Sequence, residues 1–295
     1  NIFGSGKNGN IKLQGGQEIS RFEINYVDPR VKGTSVQLLI GAFAGLNNRP
    51  FFEDFETGIF STLFKDFGPY LSAYGRLDFE YVNFNEAKTV ASQLDPRESA
   101  IDHTRLTTTL GVTYDRRDSY GDPRKGYYVN STVALTNQFV QLAGNYVTTK
   151  VNFGHWYSPI PRVTFANAIR VAKIFPAPGD SFIPADDRLY LGGDDTVRGF
   201  SQDSLLPEGG TFSLVHNFEI QLRPFGNFQV VGFLDTGIVV TSMSDINFFN
   251  LRHAAGPSIR YVTPVGPIRV DYGVILDPHP GDDKQSLHFT FGYFF

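Results

Sequence analysis

Apolar and polar residues alternate with a period of two along nearly the whole chain, and helical periodicity is almost absent. Between Thr211 and Arg223 the even positions are Phe212, Leu214, His216, Phe218, Ile220 and Leu222, while the odd ones include Ser213, Asn217, Glu219, Gln221 and Arg223. Successive side chains of a strand point to opposite faces, so this run carries one apolar and one polar face. The next run sets Phe228, Val230 and Leu234 against Asn227, Gln229 and Asp235. Further on, Ile268, Val270, Tyr272 and Val274 alternate with Arg269, Asp271 and Gly273. The last run sets Leu287, Phe289, Phe291, Tyr293 and Phe295 against Ser286, His288, Thr290 and Gly292.

Carried along the chain, the pattern predicts about fourteen strands. They lie near 9–14, 18–27, 34–44, 54–64, 69–84, 103–116, 126–138, 144–158 and 161–174, and then near 211–223, 226–237, 250–263, 266–276 and 285–295. Alternation alone fits a soluble β-sandwich as well as a membrane barrel. Strand length separates them: runs of roughly ten to fourteen residues exceed the usual sandwich strand of about 5–6 and suit a tilted membrane strand of about 9–11 plus overhang. Rings near strand ends, at Trp156, Tyr157 and Tyr293, suit interfacial girdles. Tight connections at Ser158-Pro159-Ile160-Pro161 and Pro224-Phe225-Gly226 contrast with long ones at 86–101 and 175–211, as in outer-membrane barrels. The expectation is an all-β, antiparallel transmembrane β-barrel, one domain over residues 1–295.

Composition narrows the classes. No apolar stretch is long enough for a transmembrane helix, which does not exclude strands that reach lipid with every second residue. Lysine plus arginine is 26 against 30 aspartate plus glutamate, a net charge of −4, which argues against nucleic acid as a partner. Cysteine is absent, so thiolate metal sites, disulfides and cysteine nucleophiles are excluded. The 28 phenylalanines and 14 tyrosines favour strands. The chain starts at Asn1 with no methionine and no signal peptide, and reads as a processed or trimmed piece of a longer protein.

One segment breaks the alternation: Leu189–Ser204, "LYLGGDDTVRGFSQDS". If the polar faces line a barrel interior, the guanidinium of Arg198 must be paired there, because an isolated buried charge costs several kcal/mol or more. Strand parity places Glu219 and Asp235 on the polar face of adjacent strands, and an arginine fork binds carboxylates with two hydrogen bonds. Arg198 is therefore expected to reach Asp235, Glu219 or both, with Gly199 allowing close backbone approach and Phe200 packing on the wall. The competing reading is a solvated loop charge.

Catalytic signals are lacking. There is no H-E-x-x-H and no G-x-S-x-G, and Gly4-Ser5-Gly6-Lys7-Asn8 is not a P-loop. His103, His155, His216, His253, His279 and His288 are scattered without metal-ligand spacing, so no metal, cofactor or enzymatic activity is expected. The pairs Asp186-Asp187, Asp194-Asp195 and Asp282-Asp283 read as solvated acidic loops, with weak divalent-cation binding at the cell surface as the alternative.

Leu191-Gly192-Gly193 followed by Val197-Arg198-Gly199-Phe200 resembles the inward-folded long loop of the outer-membrane assembly-factor superfamily, the group of BamA, TamA and the two-partner secretion transporters. Further stretches agree with that family in its own order. They are Asn1-Ile2-Phe3-Gly4-Ser5-Gly6, Tyr26-Val27-Asp28-Pro29, Asp115-Arg116-Arg117-Asp118 with Pro123-Arg124-Lys125-Gly126, Phe233-Leu234-Asp235-Thr236-Gly237, and Pro264-Val265-Gly266-Pro267-Ile268. The ending through Leu287, Phe289, Phe291, Gly292, Tyr293 and Phe295 resembles the β-signal of outer-membrane proteins.

The resemblance implies a sixteen-strand barrel whose first two strands and preceding POTRA domains are not in this chain. It implies residence in the outer membrane of a Gram-negative bacterium, among lipid and lipopolysaccharide. It also implies a BamA-like factor that folds and inserts unfolded outer-membrane β-barrel clients through a seam beside the last strand, where Gly292 loosens packing. Accessory lipoproteins or an inner-membrane partner would act through the POTRA domains. A TamA-like translocation and assembly module, a two-partner secretion transporter, a passive channel and a membrane anchor for an N-terminal enzyme are the alternatives.

Overall fold

The computed structural model describes residues 6–15, 19–87, 102–139, 144–179, 183–263 and 266–291. Fourteen strands account for most of them: β1 (Asn8–Gln14), β2 (Ile19–Asp28), β3 (Val36–Asn48), β4 (Phe52–Asp66), β5 (Leu71–Ala87), β6 (His103–Asp115) and β7 (Gly126–Gln138), then β8 (Tyr146–Ile160), β9 (Val163–Pro176), β10 (Phe212–Leu222), β11 (Phe228–Val240), β12 (Arg252–Thr263), β13 (Gly266–Ile275) and β14 (Gln285–Phe291). They form one sheet in simple sequence order, β1 through β14. Among the described residues no helix is long and apolar enough to cross a membrane.

Each strand lies where the alternation placed it. The exceptions are local: β8 continues through Pro159 and Ile160, so the turn falls at Pro161 and Arg162 rather than across Ser158–Pro161. The turn at Pro224-Phe225-Gly226 forms as expected, with Gly226 in the left-handed region at φ 50° and Phe228 N–H bonded to the Phe225 carbonyl at 3.1 Å. Between β6 and β7, Asp118 Oδ1 accepts the backbone N–H groups of Arg124 (2.9 Å) and Lys125 (3.1 Å) and closes that hairpin.

Burial identifies the environment. On β10 the inaccessible positions are Ser213, Val215, Asn217, Glu219 and Gln221, whereas Ile220 and Leu222 are exposed. On β14 the exposed row is Gln285, Leu287, Phe289 and Phe291, with Phe289 76% accessible. A soluble sandwich would bury these apolar rows. Here the polar face is covered and the apolar face is open, the inverse pattern that lipid as solvent requires. Tyr157 is 56% exposed on the apolar face of β8, the face a girdle residue would need, but Trp156 is not on that face. Only 2% of Trp156 is accessible; it stacks on Tyr128 (6.1 Å between centroids) under the Arg117 guanidinium, because its even-numbered position falls on the polar face of β8.

Two compact units divide the chain: residues 1–114, 131–149 and 174–188, and residues 115–130, 150–173 and 189–295. In the first, Asn25, Asp54, Asp78, His103 and Arg105 are buried on the polar face, and Ile24, Ile59 and Leu77 are exposed on the other. In the second, the buried polar residues include Asn217, Glu219, Asp235, Ser258, Arg260, Arg269 and Asp271, which meet the loop that follows residue 188.

Candidate functional site

The loop of the second unit is closed at its base by backbone bonds between Leu189 and Gly210 (2.9 and 2.8 Å). Inside that clasp it turns twice, with Gly193 N–H bonded to the Phe200 carbonyl at 3.1 Å and Phe200 N–H to the Val197 carbonyl at 3.1 Å. Gly192 and Gly193 have φ of 116° and 101°, values that side-chain-bearing residues rarely adopt. A Cβ on Gly192 would also collide with the Ser201 carbonyl oxygen, so the glycine pair is what lets the loop fold on itself.

At the tip, Arg198 is fully buried together with Glu219 and Asp235. Its Nε and backbone N–H both donate to Asp235 Oδ2 (2.8 and 3.0 Å), and Nη2 donates to Asp235 Oδ1 at 2.7 Å. Nη1 donates to Glu219 Oε1 at 2.7 Å. The expected pairing is thus made to both carboxylates at once, in the bidentate form that an arginine fork allows. Period two explains the strand side of the contact. Phe233, Asp235 and Gly237 share one face of β11, and each receives a different part of the loop. The Phe233 ring lies 3.7 Å beneath the Arg198 guanidinium, Asp235 binds it, and Gly237 leaves the space that Val197 fills. A Cβ at Gly237 would lie 2.7 Å from Val197 Cγ2.

Gly199 runs close to β12 and β13, where an added Cβ would stand 2.5 Å from that of Ala254. Phe200 joins Val197, Ala254 and Ile275 in a buried apolar cluster. The remaining polar residues complete a network. Arg260 binds both oxygens of Glu219 (2.9 and 2.6 Å), Asp271 lies 3.5 Å from Arg198 and 3.3 Å from Arg269, and Asn217 donates to Asp235 at 2.7 Å. The guanidiniums of Arg198, Arg260 and Arg269 thus meet the buried carboxylates of Glu219, Asp235 and Asp271, and Arg170 joins through Asn217 Oδ1 at 2.6 Å. Sequence reading missed Arg260, Arg269 and Asp271, although the parity of 266–276 had already placed the last two on the polar face.

The loop also grips the final strand. His288 Nε2 lies 3.0 Å from the Arg198 carbonyl oxygen, which can only accept, so Nε2 carries the proton in that bond. Thr290 Oγ1 donates to Asp194 Oδ2 at 2.5 Å, and Arg269 donates to the Asp194 carbonyl at 2.9 Å. Asp194 is thus engaged rather than solvated, whereas its neighbour Asp195 is exposed. Of the expected seam residues, Leu287, Phe289 and Phe291 occupy the apolar face of β14; Gly292, Tyr293 and Phe295 lie outside the described residues, as do Asn1–Ser5 and Pro264-Val265.

Within the first unit a second cluster forms around Arg105 of β6. Its Nε donates to Glu80 at 2.6 Å, Nη2 to Glu56 at 3.1 Å, and Nη1 to Asp186 and Asp187 at 2.8 and 2.7 Å. The two aspartates come from the 3-10 turn Ala185–Asp187, and only 2% and 15% of their side chains are accessible, which corrects their reading as a solvated acidic pair. Burial pushes the Asp187 carboxyl above its ordinary range. Burial acts on Asp186 too, but His103 and Arg105 outweigh it and hold that carboxyl low.

Comparison with known proteins agrees with this geometry. The Omp85 superfamily domain matches residues 1–295. The chain is 23% identical over 321 residues to the outer membrane protein assembly factor BamA of Nitratidesulfovibrio vulgaris, covering 100% of this chain and 39% of that protein. It is 25% identical to the chloroplastic outer envelope protein 80 of Oryza sativa subsp. japonica, covering 99% of this chain and 45% of that protein. The chain thus spans less than half the length of these curated relatives. Its fold is that of the barrel in the crystal structure of BamA from Haemophilus ducreyi lacking POTRA domains 1–3, with a TM-score of 0.84 at 17% identity over 97% of this chain and 64% of that one. CdiB from Acinetobacter baumannii is similar at a TM-score of 0.60 and 14% identity, over 92% and 49% of the two chains.

Proposed function

Because the chain belongs to the Omp85 superfamily and is an integral outer-membrane β-barrel, we propose that it acts as a BamA-like assembly factor, with residues 1–295 as its barrel domain. In this reading it folds and inserts other outer-membrane β-barrel proteins at the edge of β14. The observation that carries the proposal is the pairing of a terminal strand with a pinned loop. β14 ends the strand order and is bonded to β13 along one edge, while its polar face is fastened to the Arg198 loop through His288 and Thr290. A strand edge offers main-chain donors and acceptors to an extended client segment whatever its sequence, and the open row Leu287, Phe289 and Phe291 favours a client with matching aromatic alternation. Among the described residues β14 pairs with β13 alone, and the loop holds the strand in place from its polar face.

The competing class is a passive channel. It is separated by reconstituting the full protein in lipid vesicles, adding a urea-unfolded β-barrel client, and following both client folding by gel mobility and ion conductance. Accelerated client folding over empty vesicles with low steady conductance supports the assembly role. Large steady conductance without acceleration assigns the protein to the channels instead.

A further inference from the structure

The Arg105 cluster contains more negative charge than its arginine can balance. Arg105 meets four carboxylates, those of Glu56, Glu80, Asp186 and Asp187. A fifth, Asp54 of β4, is fully buried beside them; its Oδ1 accepts from Asn47 at 2.8 Å and its Oδ2 has no hydrogen-bond partner. Arg21 adds a longer ion pair, 3.9 Å from Glu56, and is itself shared with Glu23, while the His103 ring lies 3.3 Å from Asp186. Buried carboxylates in such excess are neutralised by protons or by a bound cation.

The ligand geometry is present in the same place. His103, Asp186 and Asp187 bring one ligand atom each to within 4.8 Å of one another, and His103 Nε2 lies 3.3 Å from Asp186 Oδ2. Asp186 is 2% exposed and its Oδ1 has no hydrogen-bond partner, because Arg105 takes only the other oxygen. Tetrahedral zinc with ligands at about 2.0–2.1 Å spaces them about 3.4 Å apart, which rotation of two aspartates on a three-residue turn can supply. Arg105 on Asp186 Oδ2 (2.8 Å) and Gln138 on Asp187 Oδ2 (3.0 Å) then act as the outer hydrogen-bonding partners that orient metal-binding carboxylates, and Asp187 Oδ1 exchanges its bond to Arg105 (2.7 Å) for the metal.

We propose that His103, Asp186 and Asp187 form a binding site for a divalent transition-metal cation, with zinc the best match to one imidazole and two carboxylates and a fourth position left for water or Asp54. An all-oxygen calcium site does not use the imidazole. The loop carrying Arg198 is then anchored at its start by a metal ion. Sequence could not reveal the site, since His103 and Asp186 are far apart along the chain and neither lies in a spaced motif.

The test uses the full protein, free of any tag, extracted from membranes and dialysed with zinc alone. Zinc content is measured by mass spectrometry, and affinity by competition with a chromophoric chelator. The expected result is one zinc per chain, with affinity reduced at least tenfold in His103→Gln and unchanged in His155→Gln. Equal zinc binding by wild type and a folded His103→Gln overturns the proposal, as does failure of the wild type to retain zinc. Should His103→Gln fail to fold, X-ray absorption of the zinc-loaded wild type decides: one imidazole nitrogen with oxygen ligands supports the site, and any other donor shell overturns it.

Discussion

The connection between β9 and β10 is fastened twice, with opposite polarity. At Arg198 the loop delivers a cation to carboxylates fixed on β10 and β11; at Asp186 and Asp187 it delivers carboxylates to an arginine fixed on β6. In the Arg198 network the carboxylates of Glu219, Asp235 and Asp271 are inaccessible and each has a guanidinium within 3.5 Å. The Arg105 cluster sets one guanidinium against four contacting carboxylates and keeps partial access to solvent. A network with a guanidinium for each carboxylate serves as a permanent joint. An unbalanced one depends on protons or ions from outside, so its strength is adjustable.

The largest effect should come from Arg198→Ala, which strands Asp235 and Glu219 as buried carboxylates short of a partner. Loss of one member of such a pair costs about 3–5 kcal/mol. Urea unfolding in detergent, read by the fluorescence of Trp156, the chain's single tryptophan, measures it. Arg105→Ala should cost less, because its carboxylates can take up protons or a cation, and the difference from Arg198→Ala should narrow further when zinc is added. Equal losses with no response to zinc would erase the distinction between the two joints.

Gly237→Ala should destabilise by about 1–3 kcal/mol by overpacking against Val197, while the hydrogen bonds of the loop tip keep their partners. Val197→Ala in the same chain should recover part of that loss, and a double-mutant cycle reads the coupling directly. The smallest effect is expected from Thr290→Val, which removes one hydrogen bond to Asp194 and should cost about 0.5–1.5 kcal/mol, confined to the second unit and neutral at the Arg105 cluster.

The strands and the Arg198 joint were legible in the sequence for the same reason. Period-two parity assigns each residue to a face with no knowledge of the third dimension, so Glu219 and Asp235 fall on the polar face of adjacent strands on pattern alone, although the register that sets Asp235 opposite Asn217 does not follow from it. Trp156 shows where habit overrode parity: its ring suggested a lipid interface, but its position in the alternation put it on the polar face. Asp186 and His103 were illegible for a different reason. A three-residue turn has no periodicity, and nothing in its local composition tells which strand it will dock against. Gly237 and Gly273 belong to the same class, since their role is the space they leave for a loop that arrives from elsewhere; a Cβ on Gly273 would meet the Arg198 carbonyl.

The two hydrogen bonds from His288 and Thr290 to the loop make β14 and the Arg198 tip thermodynamically reciprocal. Whatever draws β14 out of register must loosen the tip by the same free energy that breaking the tip's contacts would cost the strand. Amide exchange between Gly192 and Phe200 would then report on a client engaged at the edge of β14, although no client atom touches the loop.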